Sequence, residues 1–240
     1  MCTILIAYGM LADHPLVVLA NRDEYYERPT LSAGYWEDHP EIYAGRDLIG
    51  GGTWMGVTTG GRFAAVTNYR EPAAAGMRSR GELVAEFLKS NVDCNQFLRS
   101  IEGRADEYSP FNLLVGDLSP DRRSLQYFSN RSSDPVVLSS GIYGLSNHLL
   151  DTPWPKVANG KEHLTAMIVD GGLDRTRSFE ILADETQADD SNLPSTGISY
   201  DAEKALSAIF IKTPGYGTRC STVLSFDNDG SWEFEEKVFV

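Results

Sequence analysis

Apolar positions come in short, nearly unbroken blocks, and polar turn residues separate the blocks at intervals that predict strands in sequential pairs. Thr3–Tyr8 and Leu16–Ala20 are two such runs, split by Gly9 to Pro15. That is the pattern of a hairpin whose strands are covered on both faces. A second hairpin is predicted where Gly50-Gly51-Gly52 leads into "TWMGVTT" and Gly60-Gly61 turns the chain into "RFAAVTN". A third joins "FNLLVGDL" to "LQYFSN" through Ser119-Pro120-Asp121, and "GIYGLSN" adds a further strand. The chain closes with "TRCSTVLSF" and "SWEFEEKVFV" around Asn228-Asp229-Gly230, a strong hairpin signal.

Helical periodicity fills the gaps between these pairs. Ser79 and Glu82 have capping-box spacing before a helix through Lys89 that places Leu83, Phe87 and Leu88 on one side. Asp93 is placed to cap a second helix carrying Phe97, Leu98 and Ile101. Asp151-Thr152-Pro153 opens a helical stretch to about Val169, followed by helices near Ser178–Ala183 and Ala202–Phe210. Asp184 to Ser199 is polar and reads as a surface loop. Single helices do not alternate with single strands, which excludes a doubly wound parallel sheet. Sequential hairpins with paired helices between them predict an α+β fold, a four-layer αββα sandwich of two antiparallel sheets with outer helices. No repeat or low-complexity linker divides the chain, so residues 1–240 read as one domain.

Charge narrows the partners. Acidic residues exceed basic ones by 34 to 21, a formal charge of -13, which argues against nucleic acid and anionic lipid surfaces. The three cysteines, Cys2, Cys94 and Cys220, are too scattered for a disulfide framework and favour a reducing compartment. No basic leader or membrane span is read from the chain, so a cytoplasmic protein is expected. No His/Cys/Asp cluster has metal-ligand spacing, and the glycine run Gly50–Gly52 leads into a strand rather than a phosphate-binding helix.

One position carries candidate chemistry. Cys2 directly follows the start methionine and begins a strand. Removal of Met1 would give one residue both a thiol and an α-amine, a nucleophile beside a base of near-neutral pKa. The second strand ends in Asn21-Arg22-Asp23-Glu24, where an arginine would steady a thiolate and a carboxylate would orient the α-ammonium. Asn68 and Asn147 terminate strands and have amides suited to an oxyanion, while Arg219 would add positive charge or hold a substrate carboxylate.

The motifs "MCTILIAY", "LVVLANRDEYYERPT", "IGGGTWMGV", "FAAVTNYREP", "SRGELVAEFL", "YGLSNHLLDTPWPKV" and "YGTRCSTVLSF" run in order along the chain. Together they resemble the NRDE (transport-and-Golgi-organisation 2-like) family. Its start is similar in turn to the N-terminal-nucleophile hydrolases of the choloylglycine hydrolase and penicillin V acylase type. That resemblance implies an αββα sandwich and an amidase site: Cys2 as nucleophile, Arg22 supporting the thiolate, Asn68 and Asn147 in the oxyanion hole, Arg219 as a distal arginine. Those amidases place the acid three residues after the arginine, where this chain has Tyr25, so Asp23 and Glu24 both stand as the supporting acid. Glu24, Trp54 and His148 are candidate substrate-binding positions. The expected ligand is a small-molecule amide, acyl compound or thioester, with no required cofactor. The resemblance also implies an alternative, a non-catalytic carrier of haem, lipid or acyl-CoA, in which the Cys2 thiolate would be an axial ligand of haem.

Overall fold

Strand pairs separated by helix pairs dominate the computed structural model, which describes residues 2–71 and 78–240. The first half of the chain supplies β1 (Cys2–Tyr8), β2 (Leu16–Tyr25), β3 (Thr30–Trp36), β4 (His39–Asp47), β5 (Met55–Thr58) and β6 (Arg62–Asn68). Two helices follow, α1 (Arg80–Lys89) and α2 (Cys94–Glu102). Next come β7 (Phe111–Asp117), β8 (Ser124–Ser129), β9 (Val136–Val137) and β10 (Gly141–Leu145). After them lie α3 (Pro155–Gly171), α4 (Arg175–Leu182) and α5 (Tyr200–Ala205), and the chain ends in β11 (Lys212–Thr213), β12 (Tyr216–Phe226) and β13 (Trp232–Val238).

The strands form two antiparallel sheets. One has the order β10-β1-β2-β12-β11, with β13 also paired to β12; the other runs β3-β4-β5-β6-β7-β8-β9. Ile4, Ile6, Leu16 and Val18 of the first sheet pack against Met55, Val57, Phe63 and Leu114 of the second. The opposite face of the first sheet, with Leu5, Val17, Leu19 and Val223, is covered by Leu164 and Met167 of α3 and Phe179 and Leu182 of α4. The opposite face of the second, with Ile42, Ala64 and Val115, is covered by Leu83, Phe87, Phe97 and Leu98 of α1 and α2. This is the expected four-layer αββα arrangement. The continuous apolar runs of β1 and β2 have a simple cause: both faces of both strands are buried. Each such Ile or Leu contributes about 1.5–3 kcal/mol by leaving water.

Boundaries differ where local chemistry overrides the pattern. Asp93 caps α2 as read, its carboxylate accepting from the Gln96 amide at 2.9 Å. The Ser79 side chain makes no cap bond, and the Glu82 carboxylate is drawn to Arg78 at 2.8 Å instead of reaching back, so neither half of the capping box forms. Helix α3 starts at Pro155 rather than Asp151. Asp151 has a left-handed backbone, φ 58, and its carboxylate accepts the Gly144 amide at 2.8 Å. The two X-Pro steps that follow also disfavour helix before Pro155. The β3–β4 hairpin goes unread in the sequence, since most of its positions are exposed or half-exposed and leave no apolar period.

Candidate functional site

Cys2 begins β1 beside β2, its Cα partner being Arg22; Arg22 in turn is partnered by Cys220 on β12. Partners in an antiparallel ladder share a face. Arg22 therefore lies in register between two thiols, on the face that Ile4 and Ile6 turn toward the other sheet. At this end of the sandwich the sheets part into a cleft of about 330 Å³, lined among others by Cys2, Arg22, Asp23, Glu24, Trp54 and Asn68.

A small set of hydrogen bonds joins the two sheets at the cleft floor. Ser146, just past β10, donates through Oγ to the Cys2 carbonyl at 3.0 Å and receives at its own carbonyl the Thr67 hydroxyl at 2.6 Å. The Asn147 amide donates to the Asn68 carbonyl at 3.0 Å. The "LSN" triplet thus latches the start of β1 to the end of β6 and holds Cys2 and Asn68 on opposite walls of one cleft.

The far wall is the first turn of α1 with the preceding glycine loop. A Cβ on Gly52 would sit 2.4 Å from the Gly81 carbonyl group, and one on Gly81 would sit 3.1 Å from the Thr53 carbonyl oxygen. The glycines allow loop and helix to touch, with the Thr53 amide donating to the Gly81 carbonyl at 3.2 Å. Arg80, Ser79 and Gly81 thereby face Cys2 across the cleft.

Burial dominates the electrostatics. It pushes the Cys2 thiol up, while Arg22 and the Asp23 backbone amide pull it down. Asp23 is 1% exposed, and its carboxylate accepts the Thr218 hydroxyl at 2.7 Å. Burial raises its pKa, and the charges of Lys156 and Arg70 oppose the rise. Glu24 is half-buried, its carboxylate accepting the Tyr25 amide at 2.9 Å. Of the two acids, Asp23 is the one coupled to the Cys2 sulfur.

Lys156 is absent from the sequence candidates and belongs with them. It sits in the first turn of α3, 2% exposed, and its ammonium has no hydrogen-bond partner among the described residues. Burial lowers its pKa to about 8, with Asp23 working against the fall. Arg70 and Glu203, paired at 3.0 Å and both buried, extend this charged layer beneath α3. The signal was present: Lys156 stands four residues before Gly160, eight before Leu164 and eleven before Met167, in line with the apolar face of its helix.

Three sequence candidates lie outside the cleft. A register shift between Thr218 and Cys220 makes Arg219 the extra residue of a β-bulge, and bulges re-aim side chains. Its guanidinium donates to the Tyr25 carbonyl at 3.1 Å and to the Arg28 carbonyl, and it lines a separate cavity of about 40 Å³ with Cys220 and Glu236. Asn147 is fully buried and spends its amide on Asn68, so it supports the wall without lining it. His148 has both ring nitrogens engaged, Nδ1 with the Thr152 hydroxyl and Nε2 with the Tyr69 hydroxyl, each at 2.8 Å. Among the described residues no group of three or more His, Cys, Asp or Glu is arranged to hold a metal ion. No helix there is long and apolar enough to cross a membrane.

A family model described as "Transport and Golgi organisation 2" matches residues 1–240. The chain belongs to that family. The Transport and Golgi organization protein 2 homolog of Bos taurus is 39% identical over 237 residues, covering 92% of this chain and 86% of that protein. The Homo sapiens homolog is 37% identical over 236 residues with the same coverage. Among solved structures, the Caenorhabditis elegans N-acylethanolamine-hydrolyzing acid amidase ortholog overlays with a TM-score of 0.49 at 12% identity, covering 95% of this chain and 93% of that one.

Proposed function

We propose that this member of the Transport and Golgi organisation 2 family is a cysteine hydrolase acting on a carbon–nitrogen amide bond, or on a thioester, through an acyl-enzyme at Cys2. One observation carries the reading: Cys2, although only 7% exposed, lines an open cleft together with Arg22, Asp23 and Asn68. Met1, whose removal would expose the α-amine of Cys2, lies outside the described residues.

In this scheme the α-amine takes the thiol proton, directly or through water. The sulfur attacks the substrate carbonyl carbon, forming a C–S bond and placing negative charge on the carbonyl oxygen. Asn68, whose carbonyl accepts the Asn147 amide, would donate its side-chain amide to that oxygen. The tetrahedral intermediate collapses with loss of the amine, which receives the proton held by the ammonium. Water then enters by the reverse sequence and releases the acid. Asp23 holds the α-ammonium, and the Lys156 charge favours its ionised form against the burial that raises its pKa. The carrier alternative uses the same cleft without turnover. His148, the histidine adjoining Asn147, is committed to Thr152 and Tyr69, which leaves the Cys2 sulfur as the ligand to test with haem.

The test is turnover of short N-acyl amides by protein whose N-terminus has been shown by mass spectrometry to be Cys2. Cys2→Ala should abolish turnover, a loss on the order of 1000-fold or more. Turnover that survives Cys2→Ala would contradict the reading, as would no turnover alongside saturable haem binding that depends on Cys2.

A further inference from the structure

The cleft is edged by Arg22, Arg28, Arg78 and Arg80, and these cations are not alike. Arg28 is spent on Asp47, with Nη2 at 2.6 Å from the carboxylate. Arg78 is spent on Glu82, Glu86 and Glu107, at 2.8, 2.8 and 3.0 Å. Arg22 and Arg80 form no ion pair among the described residues. Arg22 gives a long 3.4 Å bond to the Thr30 hydroxyl, and Arg80 gives one of 3.2 Å to the Pro110 carbonyl. A guanidinium has five N–H donors, so each keeps most of its capacity in reserve.

In this chain such reserve is unexpected. Carboxylates outnumber cations by 34 to 21, and surface arginines elsewhere find them readily. Desolvating a cation without an ion-pair partner is costly, so a fold keeps one where a ligand supplies the anion. Arg80 lines the cleft together with Cys2 and Glu24. Burial lowers its pKa, and the nearby Glu24 charge opposes the fall without forming an ion pair. Ile49, Trp54 and Val66 give the same cleft an apolar side.

We propose that the substrate taken at Cys2 is an acylated amine bearing an oxyanionic group, a carboxylate or a phosphate, which Arg80 binds with help from Arg22. Its apolar acyl portion lies along Ile49, Trp54 and Val66. Arg22, opposite Cys2 in the ladder, shields the substrate anion from the thiolate; Arg80, on the far wall, presents a planar fork that matches two oxygens. This proposal rests on the hydrolase reading above for the identity of the reacting bond, but binding tests it separately.

The experiment uses the full chain carrying Cys2→Ala and calorimetric titration with three matched compounds. These are N-butanoylglycine, O-phospho-N-butanoylethanolamine and the neutral N-butanoylglycinamide. At least one anion should bind at least about tenfold more tightly than the neutral amide, weakening as salt rises. The tighter of the two anions identifies the source of the oxyanion. Arg80→Met should erase that preference, Arg80→Lys should keep part of it, and Arg104→Gln, outside the cleft, should leave it intact, with melting curves showing each variant folded. Equal affinity for the neutral amide, no binding of either anion, or a preference that survives Arg80→Met in a folded protein would overturn the proposal. Anion binding without turnover by the Cys2 protein would sink the hydrolase reading and leave the anion site standing. Turnover with equal kcat/KM for neutral and anionic amides would do the reverse.

Discussion

Arg78 and Arg80 are two residues apart at the start of the same helix, yet the fold treats them in opposite ways. Arg78 is wrapped by Glu82, Glu86 and Glu107, and Arg104 joins it on Glu86. This network is half-exposed, satisfied within itself, and ties α1 to the segment after α2. Arg80 lines the cleft, gives one bond to a carbonyl, and has no carboxylate paired to it among the described residues. A cation paired by its own chain does structural work, whereas a cation left unpaired beside a nucleophile is available to a ligand.

The comparison can be broken from the cleft side first. Asn68→Ala should lower kcat for a short N-acyl amide roughly 100-fold with little change in KM, as loss of an oxyanion donor does. An unchanged kcat would remove Asn68 from the chemistry.

Lys156→Met probes the layer behind the cleft, and its signature is a pH shift. Asp23 already binds its proton at higher pH than an ordinary carboxylate because it is buried, and Lys156 opposes this. Without that cation the acid limb of the kcat/KM profile should move to higher pH. The stability sign is opposite in origin. Lys156 titrates near 8 when folded, against 10.5 for an unperturbed lysine. Between those values the unfolded chain holds a proton that the folded chain has released, so this group's contribution to stability rises with pH across the window. The gap in stability between Lys156→Met and the parent chain should therefore shift in the parent's favour from about pH 8 to 10.5 in denaturant titrations. A pH-independent gap would show that the ammonium is not desolvated.

The smallest effect belongs to the paired side. Arg104→Gln should cost about 1 kcal/mol or less, since half-exposed ion pairs are screened by water and salt. It should leave anion binding alone. A large loss of anion binding in that variant would mean that the two groups of arginines are not separate.

Much of this architecture is visible in the residues. The nearly unbroken apolar runs of β1 and the first half of β2 show strands buried on both faces, and Asn228-Asp229-Gly230 marks the last hairpin. Cys2, Arg22, Asp23, Glu24, Trp54 and Asn68 meet at the cleft because strand ends on one edge of a sandwich converge. The misplacements have local causes. A one-residue bulge, invisible to period counting, turns Arg219 away from Cys2. Asn147 resembles an oxyanion donor in sequence but is consumed by a carbonyl that only the stacked sheets bring near. Arg80 is not singled out in the sequence, where it stands between Ser79 and Glu82 at the start of a helix, and its lack of an ion pair emerges only from the folded cleft.

The central claim concerns one sulfur, and its chemical reactivity tests it most directly. Brief treatment of the folded protein with a small amide-mimicking electrophile, followed by peptide mass spectrometry, reads the three cysteines in a single experiment. All three thiols are buried, and burial pushes each of them up, Cys94 to about 11 and Cys220 well above the ordinary thiol range; only Cys2 lines the open cleft. Modification should fall on Cys2 and be slowed by the anionic amide that binds best. An unmodified Cys2, or labelling of all three at equal rates only as the protein unfolds, would contradict a catalytic cleft at the start of β1.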